Sequence, residues 1–298
     1  MAFLVDGTRK HVVRAGNERK IRRYRVEDGG EVEMPINAGT GILNVAVSRD
    51  GKWIVSGTDK GVVMAWNAES HEKVTEFKGH RTPVRAVDVS PDGTKIATGS
   101  ADYTACIWSL STGQRLCGPL KHDYEVLAAK ISPDGCLLAT ATLGCVRVYH
   151  CLEGRVLVDV PIRVSSLSLF NNFLAWANDS KRLFALSFDG NIHCLDASTG
   201  TTLSKWPSHS SKDVRCIALA GNGTFIAASA GRSASFWNTG THEQIGSVIE
   251  FTHDIWCMAI SPNDDLAVGG DKKITLRGLC DILPSSYFDD VSSLISAA

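Results

Sequence analysis

No apolar run in the 298 residues approaches the roughly eighteen that a transmembrane helix needs, and the start, MAFLVDGTRK, lacks the charged-then-apolar order of a secretory leader. The chain therefore reads as intracellular. Neither sign of charge dominates: 31 Lys and Arg face 32 Asp and Glu, so no global field recruits nucleic acid or an anionic membrane, and any such role must be local. The nine cysteines (106, 117, 136, 145, 151, 194, 216, 257, 280) are odd in number and form no CxxC pair, which argues against a disulfide framework and a zinc site. Most flank apolar residues and read as small buried thiols. Absent too are a GxSxG elbow, HExxH, a Walker loop and a GxGxxG between strand and helix, so no catalytic, metal or cofactor motif is found. With 44% hydrophobic and 21% charged residues, a mainly disordered, collagen-like or coiled-coil chain is excluded.

What is present is a repeat. Short apolar runs separated by Gly, Asp, Asn and Ser fill the chain, with almost no helix-period stretch before the tail, which is an all-β pattern. Aligned on the turn SPDG (90–93), the Asp position falls at Asp6, Asp50, Asp92, Asp134, Asp179, Asn222 and Asn263, in steps of 41 to 45 residues. An independent register follows each turn at Tyr24, Trp66, Trp108, Tyr149, Leu195, Trp237 and Arg277. Five residues further stand Gly29, His71, Gly113, Gly154, Gly200 and His242, where a hairpin needs a positive φ. A third register, His80, His122, His209 and His253, precedes the turns.

These residues resemble the WD-repeat family: GHRTPVRAVDVSPDGTKIATGSADYTACIWSLSTGQRL (79–116) is similar to a near-complete repeat, although no unit spells the Trp-Asp pair. The resemblance covers about 280 residues and implies a seven-bladed β-propeller of four-stranded antiparallel blades. Physics agrees, because a unit of about forty residues cannot bury both its faces alone, whereas stacked units bury one another's. The expectation is one domain over 1–292, with units 1–36, 37–78, 79–120, 121–161, 162–207, 208–250 and 251–292 and a short tail, 293–298. The fourth unit has Leu143-Gly144 where the family has Asp, the sixth and seventh are eroded around Gly231 and Asp271, and the fifth carries extra residues in VSSLSLFNNF (164–173). The later part, LFALSFDGNIHCLDASTG, CIALAGNGTFIAASAG and GDKKITLRGLCDILPSSY, also resembles WD arrays of mushroom-forming fungi, some fused to NACHT-type ATPases, which implies a sensor or adaptor.

In the third unit, His80, Thr98, Ser100, Asp102 and Trp108 invite a hydrolase reading, but the resemblance implies a buried hydrogen-bonded network in which Asp fixes the imidazole and a hydroxyl links it to the indole. Arg9, Lys10, Arg14, Arg19, Lys20, Arg22, Arg23 and Arg25 crowd seventeen positions opposed only by Glu18, either a phosphate-attracting patch or a solvated strand edge. The resemblance places Leu43, Arg85, Leu127, Arg215, Trp256, Asn17, Asp59, Ala101 and Phe188 on the rim of the narrow face. Of these, Asp59, Arg85, Leu127, Phe188, Arg215 and Trp256 are the expected partner-binding set, with exposed Arg and Trp as anchors. The expectation is a monomeric, non-catalytic scaffold without a cofactor, binding a protein or peptide carrying acidic or phosphorylated groups. An enzyme with a channel-mouth pocket and a polyanion binder acting through the first unit are the alternatives. Phe3-Leu4-Val5 precedes the first turn directly, so Ser285 to Phe288 is expected to supply the outer strand of the last blade.

Overall fold

In the third repeat, runs of apolar and small residues are cut by SPDG and SADY, and each run is a strand. The turn explains itself chemically. Ser90 and Asp92 bond side chain to side chain, Asp92 accepts the Thr94 N–H at 3.0 Å, Ser90 Oγ accepts the Lys95 N–H at 2.8 Å, and Gly93 takes φ +68°. Ser48 with Asp50 and Ser132 with Asp134 repeat the device, with Gly51 and Gly135 at φ +72° and +73°. The second hairpin register also adopts left-handed backbone throughout, including the two non-glycines His71 and His242, both at φ +63°.

A computed structural model describes residues 1–6, 9–15, 19–32, 34–164, 172–209, 213–261, 265–270 and 274–288, with the side chains of residues 5, 6, 9 and 10 outside that description. Blade 1 is β1 (Ala2–Asp6), β2 (Arg9–Arg14), β3 (Lys20–Arg25) and β4 (Ile36–Asn37). Blade 2 is β5 (Ile42–Val47), β6 (Trp53–Thr58), β7 (Val62–Asn67) and β8 (Lys73–Lys78). Blade 3 is β9 (Val84–Val89), β10 (Lys95–Ser100), β11 (Thr104–Ser109) and β12 (Arg115–Lys121). Blade 4 is β13 (Ala128–Ile131), β14 (Leu137–Ala141), β15 (Val146–His150) and β16 (Val156–Val160). Blade 5 is β17 (Leu174–Trp176), β18 (Arg182–Leu186), β19 (Asn191–Asp196) and β20 (Thr202–Pro207). Blade 6 is β21 (Val214–Leu219), β22 (Phe225–Ala230), β23 (Ser233–Asn238) and β24 (Ile249–Glu250). Blade 7 has β25 (Cys257–Ile260), β26 (Asp265–Gly269) and β27 (Ile274–Gly278).

Within every sheet the strand order follows the chain and all neighbours are antiparallel. The first strands β1, β5, β9, β13, β17, β21 and β25 each touch the next, and β1 touches β25, which closes a ring: a seven-bladed β-propeller. Its core lies in the wedges between blades. Phe77 of blade 2 packs with Trp108 of blade 3, their ring centroids 6.0 Å apart, and Ile107 and Ala86 of blade 3 pack with Leu138 and Tyr149 of blade 4. Gly79 has no room for a side chain, since a Cβ there would lie 2.6 Å from the Trp108 ring.

One expectation about the chain's ends is corrected. Phe3-Leu4-Val5 belongs to β1, an innermost strand, in line with its place before the first turn, but Ser285 to Phe288 is no strand: Ser285–Tyr287 is a turn of 3-10 helix, preceded by another at Leu279–Asp281. The segment crosses to blade 6, where the Asn222 amide donates to the Tyr287 carbonyl at 2.8 Å, the Asn238 amide to the Tyr287 hydroxyl at 3.2 Å, and Tyr287 and Phe288 meet Phe225 edge-on. Proline at 284 and two serines resist a ladder, while Leu283, Tyr287 and Phe288 have an apolar wedge to fill. In blade 5 the first strand is Leu174–Trp176, after VSSLSLFNNF, of which residues 165–171 lie outside the described residues.

Candidate partner-binding surface

The loops on the face where the innermost strands begin are fixed from below by side-chain networks. In blade 3, His80 Nδ1–H donates to Asp102 (3.0 Å), leaving Nε2 to accept the Thr98 hydroxyl (2.7 Å), which in turn accepts the Trp108 indole N–H (2.9 Å). Burial lowers the His80 pKa against the pull of Asp102, so the ring stays neutral as this relay requires. Burial would raise the Asp102 carboxyl, but Thr104, the Arg81 N–H and His80 outweigh it and the pKa falls. Ser100 stands outside the relay: it donates to the Pro83 carbonyl at 3.0 Å and accepts the Asp102 N–H at 3.1 Å. The hydroxyl that faces Nε2 of His80 is thus that of Thr98, which is fully buried and tied to the Trp108 indole.

The other blades keep parts of this device. In blade 2, Ala38 stands at the histidine's position, Thr40 donates to Asp59 at 2.7 Å, and Trp66 donates to Ser56 at 2.9 Å. In blade 4, His122 sits edge-on to Tyr149, and burial pushes its pKa down to about 4. In blade 6, His209 approaches Ser235, which accepts the Trp237 indole N–H. His253 of blade 7 bonds Thr275 at 3.1 Å.

On this scaffold the expected rim residues separate. Leu127 is 7% exposed and belongs to the core between blades. Arg215 is also 7% exposed: Asp213 holds it in a fork, Asp254 takes a third hydrogen bond at 3.1 Å, and its guanidinium lies 4.1 Å from the centre of the Trp256 ring. The expectation of an exposed arginine here is thus corrected. Arg85 reaches Glu125 at 3.3 Å, and Asp59 is engaged by Thr40. Leu43, Ala101 and Trp256 are half-buried, Asn17 lies outside the described residues, and Phe188 is 52% exposed.

Three further apolar side chains of this face escaped the repeat registers. Tyr103, at φ +67° in the turn after Asp102, is 50% exposed, and Tyr124 is 48% exposed. The His122 N–H donates to the Tyr103 carbonyl at 2.9 Å, joining the two loops, and the Tyr124 ring covers Gly144 so closely that a Cβ there would lie 2.8 Å away. Leu143 stands next to it, exposed. The one hint in sequence was the departure of Leu143-Gly144 from the repeat.

In the basic run of blade 1, two arginines meet carboxylates and two meet backbone carbonyls. Arg22 pairs with Glu31, Arg25 forks onto Asp28, Arg23 donates to the Ala68 carbonyl at 3.0 Å and Arg14 to the Gly270 carbonyl at 3.3 Å. Arg19 and Lys20 are exposed; the side chains of Arg9 and Lys10 lie outside the described residues. The channel encloses a cavity of about 430 Å³, where Lys130 pairs with Asp88 at 3.2 Å and Asn44, Asn172 and Asn178 donate to backbone carbonyls. Its described lining contains a single carboxylate, Asp88, and no histidine.

The family model for the WD domain, G-beta repeat, matches residues 35–67, 71–109, 115–150, 200–238 and 245–276, more than half of the chain. The chain belongs to the WD40 family. A comparison with the curated proteins finds no match. WD40 propellers are, as a family, protein-interaction scaffolds that bind proteins or peptides. The unmatched stretches 1–34 and 151–199 include most of blade 1 and three strands of blade 5 in this WD40 propeller. No helix among its described residues is long and apolar enough to cross a membrane.

Proposed function

We propose that this WD40 propeller is a non-catalytic recognition module whose loop face binds an extended segment of a partner protein. The observation that carries the reading is the set of half-exposed apolar side chains, Tyr103, Tyr124, Leu143 and Phe188, on loops of blades 3 to 5 that buried hydrogen bonds hold in place. Rigid loops lose little entropy on binding, and aromatic anchors supply large contact area. Arg85 and Arg215, already holding carboxylates, support the surface, with Trp256 as a contact at its blade 7 side. The resemblance to fungal WD arrays supports a sensor or adaptor role in a larger assembly.

The test is affinity capture with the immobilised propeller, comparing wild type with Tyr103→Ala, Tyr124→Ala and Phe188→Ala. A specific partner should be retained by the wild type and weakened about tenfold or more by at least one of these substitutions, with the melting temperature unchanged. Undiminished retention by all three would place binding elsewhere on the propeller.

A further inference from the structure

Beside Phe188 the loop face opens into a cavity of about 320 Å³, walled by Arg163, Ser187, Phe188, Asp189, His193 and Lys205. Its construction is local. The Phe188 N–H donates to the Arg163 carbonyl at 2.8 Å, which fixes the two residues side by side, and antiparallel pairing of β19 with β20 sets Lys205 opposite His193. Asp189 is already committed: Ser187 donates its hydroxyl proton to one carboxylate oxygen, and Lys205 reaches the other at 3.3 Å. Since the Ser187 proton is used there, the His193 Nε2–H donates to the Ser187 oxygen, at 3.1 Å. Burial, reinforced by Lys205, keeps that imidazole below its usual pKa and uncharged.

Charge accounting then leaves two cations against one anion. Arg163 is exposed and forms no ion pair with any described residue, and Lys205 has two N–H donors beyond the one turned to Asp189. Donors outnumber acceptors at the mouth, so the complementary group is one that only accepts: an oxyanion. Phe188, half out in solvent at the edge, adds an apolar face for the atoms that carry it.

We infer that this cavity on blade 5 binds an oxyanion borne on an apolar or aromatic side chain of a partner peptide, with Arg163 and Lys205 as the anion contacts and Phe188 as the platform. The inference rests on the binding role proposed for this face, and it moves the anion contact from Arg85 and Arg215, whose guanidinium groups hold carboxylates of this chain, to blade 5. A carboxylate and a phosphate monoester share the chemistry.

Small probes test it without a known partner. Titration of the propeller with phenyl phosphate, 3-phenylpropionate and benzylamine, followed by NMR, should show the oxyanions binding with a Kd on the order of 1 mM, as suits so few atoms, and benzylamine not binding. A preference for phenyl phosphate would assign a phosphorylated residue as the natural source, and a preference for the carboxylate an acidic one. Arg163→Glu and Lys205→Met should each weaken oxyanion binding about tenfold and Phe188→Ala about threefold, while Lys181→Glu, on another part of blade 5, leaves it unchanged and all four keep the wild-type melting temperature. Equal binding of benzylamine, no binding of either oxyanion, or full binding by Arg163→Glu and Lys205→Met would overturn the assignment. These outcomes are independent of the Tyr103 and Tyr124 capture experiment, so a failure of the cavity and a failure of the wider surface can be told apart.

Discussion

At the scale of single residues, Thr98 is the pivot of blade 3, because one hydroxyl serves both the Trp108 indole and the His80 imidazole. Thr98→Val keeps the shape but strands a buried donor and a buried acceptor, and should cost about 2 to 4 kcal/mol in urea unfolding. A cost below about 0.5 kcal/mol would mean that the relay contributes nothing. The buried histidines also set a pH limit. His122 and His209 each have a folded pKa pushed down to about 4 by burial, against an ordinary value of 6.5. Between pH 6.5 and 4 the unfolded chain takes up protons that these rings refuse when folded, so stability is full above 6.5, falls as the pH drops, and levels off below about 4. His122 alone accounts for about 3 kcal/mol of that loss. The carboxylates with lowered pKa, such as Asp102, act below this window, from the ordinary Asp value downward. His122→Phe, which retains a ring against Tyr149, should flatten the melting-temperature profile between pH 6.5 and 4; an unchanged slope would show that His122 protonates without cost.

At the scale of elements, the segment after β27 works as a clamp on blade 6. Leu283 is buried, Tyr287 receives hydrogen bonds from Asn222 and Asn238, and both Tyr287 and Phe288 cover Phe225. Leu283→Ala should destabilise by about 2 to 4 kcal/mol, the range for a buried leucine replaced by alanine. Tyr287→Phe, which loses only the Asn238 bond, should cost about 1 kcal/mol. If thermal melts show neither effect, the clamp is not coupled to the blade. The outer strands β4 and β24 are only two residues long, so the blades that carry them lean more on inter-blade packing than blades 2 and 3 do.

Among the described residues, the whole molecule closes its ring without a strand shared between the chain's two ends. β1 and β25 meet by packing, with the Arg14 bond to the Gly270 carbonyl across the joint, and blade 7 has three strands among the described residues. A ring joined this way opens at the joint, because every other pair of neighbouring blades is also linked by continuous chain. Hydrogen exchange followed by mass spectrometry should therefore find the amides of β1 and β27 exchanging before those of β10 and β14. Arg14→Ala should widen the difference. Uniform protection around the ring would mean that the propeller opens only by global unfolding.

Seven blades were legible in the sequence because turns, hairpin glycines and strand aromatics are short-range requirements. Asp92 must lie two residues from Ser90 to bond it, and position 71 must turn left-handed whether it holds Gly or His. The His80 relay was readable only through the resemblance to the WD repeat, since its residue types alone also fit a hydrolase. Contacts between blades obey no such period, and there the tertiary structure decided. It buried Leu127, drew Arg215 onto Asp213, Asp254 and Trp256, and paired the blade 1 arginines with Glu31 and Asp28. It also carried Tyr287 past blade 7 to the apolar wedge beside Phe225. A side chain's charge and size are written in the sequence, but which neighbours consume that charge and which surface covers that size depend on where chain segments tens of residues apart come to rest.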